Sequence, residues 1–153
     1  PNPRVVAAWV PNIIQDVNYS SQDVKGNEYI LYASEGQIDL DNNKIIFLTN
    51  VRAKIKMIDG DVIEIQSNFG KYNIDNYDTI FSKKVKINYR ENEITGDYVD
   101  FSLNNNSLII SKNVVYSNQK NLRHSTKTGW FKNWSKTASK IQSSKTKKIV
   151  DYI

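Results

Sequence analysis

The chain has 153 residues, 39% of them hydrophobic and 24% charged, which is enough for one domain with its own core. It has no cysteine, and this excludes a disulfide framework and a thiolate metal site. The net charge of +5 is unevenly placed: residues 1–120 carry 13 Lys/Arg against 15 Asp/Glu, and residues 121–153 carry 8 against one. A nucleic-acid reading would therefore rest on the tail alone, and no nucleic-acid partner is expected for the body.

The first 12 residues read as an extension. "VVAAWV" is too short for a secretory signal and lacks a cleavage pattern, and no apolar run approaches the ~20 residues of a membrane span. From about residue 13 the pattern turns to strands. "VNYSSQDVKGNEYILYAS" is a hairpin around Lys25-Gly26-Asn27. "KIKMIDGDVIEI" alternates apolar and polar residues on both sides of Asp59-Gly60; that pair predicts a tight turn in which both central residues take positive φ. "KVKINYRENEITGDYVDF" follows the same logic around Arg90-Glu91-Asn92.

Between these hairpins one phrase recurs three times: "IDLDNNKIIFLTNV", "YNIDNYDTIFSKKV" and "FSLNNNSLIISKNV". Aligned on Val51, Val85 and Val114, the turns Asp41-Asn42-Asn43, Asp75-Asn76-Tyr77 and Asn104-Asn105-Asn106 fall in register. Asn and Asp suit such turns because their side chains bond their own backbone and tolerate the left-handed region. The polar pairs Thr49-Asn50, Lys83-Lys84 and Lys112-Asn113 break the phase before each valine, which predicts a bulge or bend there. A recurring unit of this length implies an architecture in which one unit cannot bury its own face. The expected fold is all-β: an antiparallel β-jellyroll, or half-open folded sheet of repeated short strands, over residues 13–120.

After Leu122 the strand pattern stops. Residues 121–153 form a basic tail, either disordered or a short amphipathic helix with Trp130, Trp134, Ala138, Ile141 and Lys145 on one face. Lysine with tryptophan also suits a membrane-surface helix.

Candidate chemistry is sparse. His124 is the only histidine, in the tail, where it reads as a solvated loop residue. "DLDNN" at 39–43 lacks the glycine and the closing glutamate of a calcium loop. Asp59 with Asp61, and Asp97 with Asp100, read as turn residues with nothing else converging on them. No catalytic residue, metal ligand or cofactor is expected.

The stretch from "GNEYILYASEGQIDLDNNKIIFLTNVRAKI" to "SLIISKNVVY" resembles the lipopolysaccharide-export family LptC and, more distantly, LptA and the shared OstA-like domain. The likeness lies in the strand, Asx turn, apolar run and "K-N-V" corner, repeated in order. It implies a periplasmic β-jellyroll anchored to the inner membrane by a segment not in this chain. It also implies a non-enzymatic role: binding lipopolysaccharide acyl chains in an apolar interior. Partners would be an inner-membrane ABC transporter and an LptA-type bridge protein, docked through the sheet edges. The groove candidates are Ile38, Leu40, Ile63, Ile65, Tyr72, Ile74, Val85, Ile87, Phe101 and Leu103. Two other readings stand beside it: a structural β-repeat assembly or adhesion domain with a plain packed core, and a membrane-surface or nucleic-acid binder acting through the basic tail.

Overall fold

The computed structural model describes residues 12–105 and 107–118, and the backbone of Thr146–Lys148. Nine antiparallel strands form one open sheet: β1 (Ile13–Gln22), β2 (Glu28–Ile38), β3 (Ile45–Lys56), β4 (Val62–Asn73), β5 (Thr79–Tyr89), β6 (Asn92–Ser102), β7 (Ser107–Ser111), β8 (Val115–Asn118) and β9 (Thr146–Lys148). The first seven follow one another as a meander, β9 adds to β7, and β8 pairs β6. The described residues contain no helix. The tryptophan face and His124 lie outside them.

β1, β3 and β5 are each interrupted near the middle by left-handed residues, and so is the link between β7 and β8. Asp16, Asn50, Lys83, Lys84, Lys112 and Asn113 all take φ between +53° and +67°. The ladder skips a step at those points: β1 and β2 pair up to Gln15↔Glu35 and resume at Val17↔Ala33, and the register shifts between Gln66 and Phe69 and between Ser82 and Val85. These positions line up from strand to strand and make a crease across the sheet. The bends expected before Val51, Val85 and Val114 are therefore present, as left-handed residues immediately preceding each valine. β7 and β8 are the two arms of one such strand, since β7 pairs the far half of β6 and β8 its near half.

The crease divides the sheet into two layers that face one another. Layer one holds the rung Tyr19, Leu31, Ala53, Ile65, Ile87, Ile94, Tyr116. Layer two holds Ile46, Tyr72, Thr79, Phe101, Leu108. Contacts cross between them: Tyr19 of layer one stacks on Tyr72 of layer two at 5.0 Å between centroids, and Tyr29 meets Phe101 at 4.7 Å. The Tyr29 hydroxyl donates to Thr79 Oγ1 at 2.7 Å. Period-2 alternation explains the arrangement, because one face of each strand is apolar and the fold brings both apolar faces together.

The hairpin at Asp59-Gly60 differs in detail from the expected turn. Gly60 alone takes positive φ, at 98°, and Gly60 N donates to Met57 O at 3.0 Å while Met57 N donates to Asp61 O at 2.8 Å. This is a three-residue loop ending on a left-handed glycine, the commonest alternative to the two-residue turn. The β1–β2 hairpin repeats it with Gly26 at φ 95°.

Candidate functional site: the inner face and its open edges

The inner face is apolar and filled. Leu31, Ala33, Ile63, Ile65, Phe81, Ile87, Ile94, Val99, Leu108 and Ile110 are each 0% exposed. No water-sized space therefore borders them, and the two layers meet side chain to side chain. Of the ten groove candidates, Ile63, Ile65, Tyr72, Val85, Ile87, Phe101 and Leu103 are buried on this face. Ile38 is partly buried and packs on its margin. Leu40 and Ile74 are not on it, being 85% and 39% exposed. Both lie past the ends of β2 and β4, in loops where Asx bonds such as Asp41 N to Asp39 Oδ1 and Asp75 N to Asn73 Oδ1 replace the strand period.

Several inner residues escaped the sequence reading. Thr79 is fully buried and ties Tyr29 to layer two, its hydroxyl also donating to Tyr77 O at 3.1 Å. Burial pushes the Tyr29 phenol well above its ordinary range, against the favourable Thr79 bond. Burial also raises Tyr72, partly offset by the neighbouring Ser21 hydroxyl. At the outer rung of layer one, Tyr116 donates to Asn92 Oδ1, and Asn118 Nδ2 donates to the same oxygen at 2.6 Å. Asparagine in a turn-rich sequence gives no signal of such a buried role.

Of the acidic candidates read as turn residues, Asp59 and Asp61 lie at a hairpin tip, whereas Asp97 and Asp100 lie inside β6. Asp61 accepts from Arg90 Nη2 at 2.7 Å and Tyr89 Oη at 2.8 Å, clasping the β3–β4 tip to the β5–β6 tip. The Arg90 and Tyr89 bonds hold the Asp61 carboxyl below its ordinary value. Burial and the Asp61 carboxylate push the Tyr89 phenol up to about 12. Asp97 accepts from Asn113 Nδ2 at 2.6 Å, bracing the crease. Among the described residues no cluster of His, Cys, Asp or Glu could hold a metal, and no helix is long and apolar enough to cross a membrane.

The sheet does not close on itself. Among the described strands, β1 pairs only β2 and β8 pairs only β6, so each presents backbone groups able to take another strand. No protein-family model matches the chain, and no curated protein matches it either.

Proposed function

We propose that this chain is a non-enzymatic lipid-transfer module of the LptC type. It would receive lipopolysaccharide in the periplasm from an inner-membrane ABC transporter and pass it to an LptA-type bridge. The observation that supports this reading is the bent open sheet: two apolar faces meet along a seam that no pairing among the described strands closes. A lipid leaving a membrane loses about 0.8 kcal/mol for every methylene wetted. Multi-chain lipids therefore need an apolar trough that opens from the side. In this reading the layers part about the crease, acyl chains replace the contacts that Tyr29 makes with Tyr72 and Phe101 across the seam, and partner strands add at β1 and β8.

A second reading is favoured by the packing itself. The inner side chains already fill the space between the layers, as they would in a structural β-repeat domain that binds no lipid. Photo-crosslinking separates the two. Benzoylphenylalanine replaces Phe81 or Phe101 on the inner face, or Tyr32 on the outside of layer one, each variant being checked for its melting transition. The carrier reading expects lipopolysaccharide adducts at both inner sites and few at Tyr32. Adducts at none of them, or equally at all three in folded protein, would leave the packed structural domain as the better account.

A further inference from the structure

The outer face of layer two has a composition that neither reading uses. Its two rows run Gln37, Phe47, Lys71, Ile80, Asp100, Ile109 and Glu35, Thr49, Phe69, Ser82, Tyr98, Ser111. Phe47 and Phe69 are 45% and 44% exposed. Together with Ile80 and Tyr98 they line a shallow apolar depression with Lys71 at its rim. Along the adjoining crease stand Lys83, Lys84 and Lys112. None of these four lysines forms an ion pair among the described residues. The acids nearby are Asp97, which accepts from Asn113, Asp100, whose carboxyl is raised by burial and by Asp78, and Glu35 at the β2 side.

The backbone adds a second observation. The crease requires left-handed residues, and β1 and β3 supply the types that tolerate it, Asp16 and Asn50. β5 instead places Lys83 and Lys84 there, at φ 65° and 53°, and the link between β7 and β8 places Lys112 there at φ 67°, beside Asn113 at 54°. Lysine gains nothing locally in that conformation, so these charges sit at the convex corner at a conformational cost.

We infer that this face docks on an anionic lipid surface. The lysines meet phosphate groups while Phe47, Phe69 and Tyr98 enter the headgroup boundary, the arrangement that interfacial binding requires. Single-stranded nucleic acid fits less well, because the ring faces on which bases would stack already carry ammonium groups: Lys83 Nζ lies 5.8 Å from the Phe69 centroid and Lys112 Nζ 5.7 Å from that of Tyr98. Lysine stems can stay on the rings while their heads reach outward to phosphate. The inference concerns the outside of the sheet and stands apart from any lipid held within it.

The chain lacks cysteine, so one reporter can be placed at will. Ser82→Cys sits between Phe69 and Tyr98, and Asn88→Cys sits on the outside of layer one. Each is labelled in the full chain with an environment-sensitive fluorophore and mixed with vesicles of equal phosphatidylcholine and phosphatidylglycerol. The expected result is a blue shift and brightening at position 82 and no change at 88, whatever the basic tail contributes to total binding. Adding Lys83→Gln, Lys84→Gln and Lys112→Gln should weaken the response at 82 roughly 100-fold in apparent affinity, from the attraction each lysine has for an anionic surface. A response at 88 equal to that at 82, no response at 82, or a response at 82 to a single-stranded oligonucleotide but not to vesicles would each overturn the inference.

Discussion

The two layers of the sheet are alike inside and unlike outside. Both inner faces are close-packed aliphatic and aromatic side chains. Outside, layer one runs Tyr32, Arg52, Gln66, Lys86, Thr95 and then Ile30, Lys54, Glu64, Asn88, Glu93 across its rows. Lys54 pairs with Glu64 at 3.8 Å and Lys86 with Glu93 at 3.9 Å across strands. The outer rows of layer two instead hold the exposed Phe47 and Phe69 with Lys71, which forms no ion pair among the described residues. Burial demands the inner alternation of both layers, but nothing in folding demands the outer difference. That difference is where a partner-specific role is best sought.

The largest effect should separate the two sides of layer two. Phe81→Ala removes a fully buried ring and should cost about 3–5 kcal/mol in urea denaturation. Phe69→Ala, on the outer row, should cost well under that while abolishing much of the vesicle response. Equal losses of stability would mean that the outer row is core, and the contrast between the layers would fail.

Next in size is a test of how closely the layers meet. A Cβ on Gly36 would stand 2.8 Å from Val17 Cγ2 and 3.1 Å from Ile46 Cγ2. Gly36→Val should therefore destabilise by roughly 1–3 kcal/mol through overpacking, read as a lower denaturation midpoint. A neutral result would mean that the layers separate more easily than their packing indicates. Tyr29→Phe removes the inter-layer bond to Thr79 and should cost about 0.5–1.5 kcal/mol, with no change in the vesicle response. Glu64→Gln breaks an exposed pair of layer one and should change stability by less than about 1 kcal/mol.

The last test is acid titration of the clasp at the hairpin tips. Asp61 has its folded pKa depressed by Arg90 and Tyr89. Its contribution is therefore fully present above the ordinary carboxylate value of 3.8 and is lost as pH falls through the lower folded value. In Asp61→Asn that part of the acid dependence of the denaturation midpoint should vanish. An unchanged acid limb would show that the clasp contributes nothing.

The fold was largely legible because its signals repeat. A single polar pair before a valine means little. Three of them in register, before Val51, Val85 and Val114, marked the crease that Asn50, Lys83–Lys84 and Lys112–Asn113 now make. Inward residues were legible wherever alternation was clean, as at Ile63, Ile65, Val85 and Ile87. It failed at Leu40 and Ile74, because a strand period was carried into loops that Asx bonds had already closed. The outer stripe was hidden for two reasons. Phe47 sits inside the run Ile45-Ile46-Phe47-Leu48, where a continuous apolar stretch assigns no face. Phe69 follows a register shift, which reverses any parity counted from Ile65. The inter-layer bond from Tyr29 to Thr79 spans 50 residues, and no local pattern reports so distant a partner.

The crease has a bearing on solubility. Flat exposed strands are templates for cross-β stacking, in which identical chains add without limit. Here the border strand β1, which pairs only β2 among the described strands, breaks at Asp16 in left-handed conformation. A newcomer can follow such a border along its full length only if it carries its own left-handed residue at the matching step. An arbitrary extended peptide would lose register halfway, so the same corner that folds the sheet also screens what may be added to it.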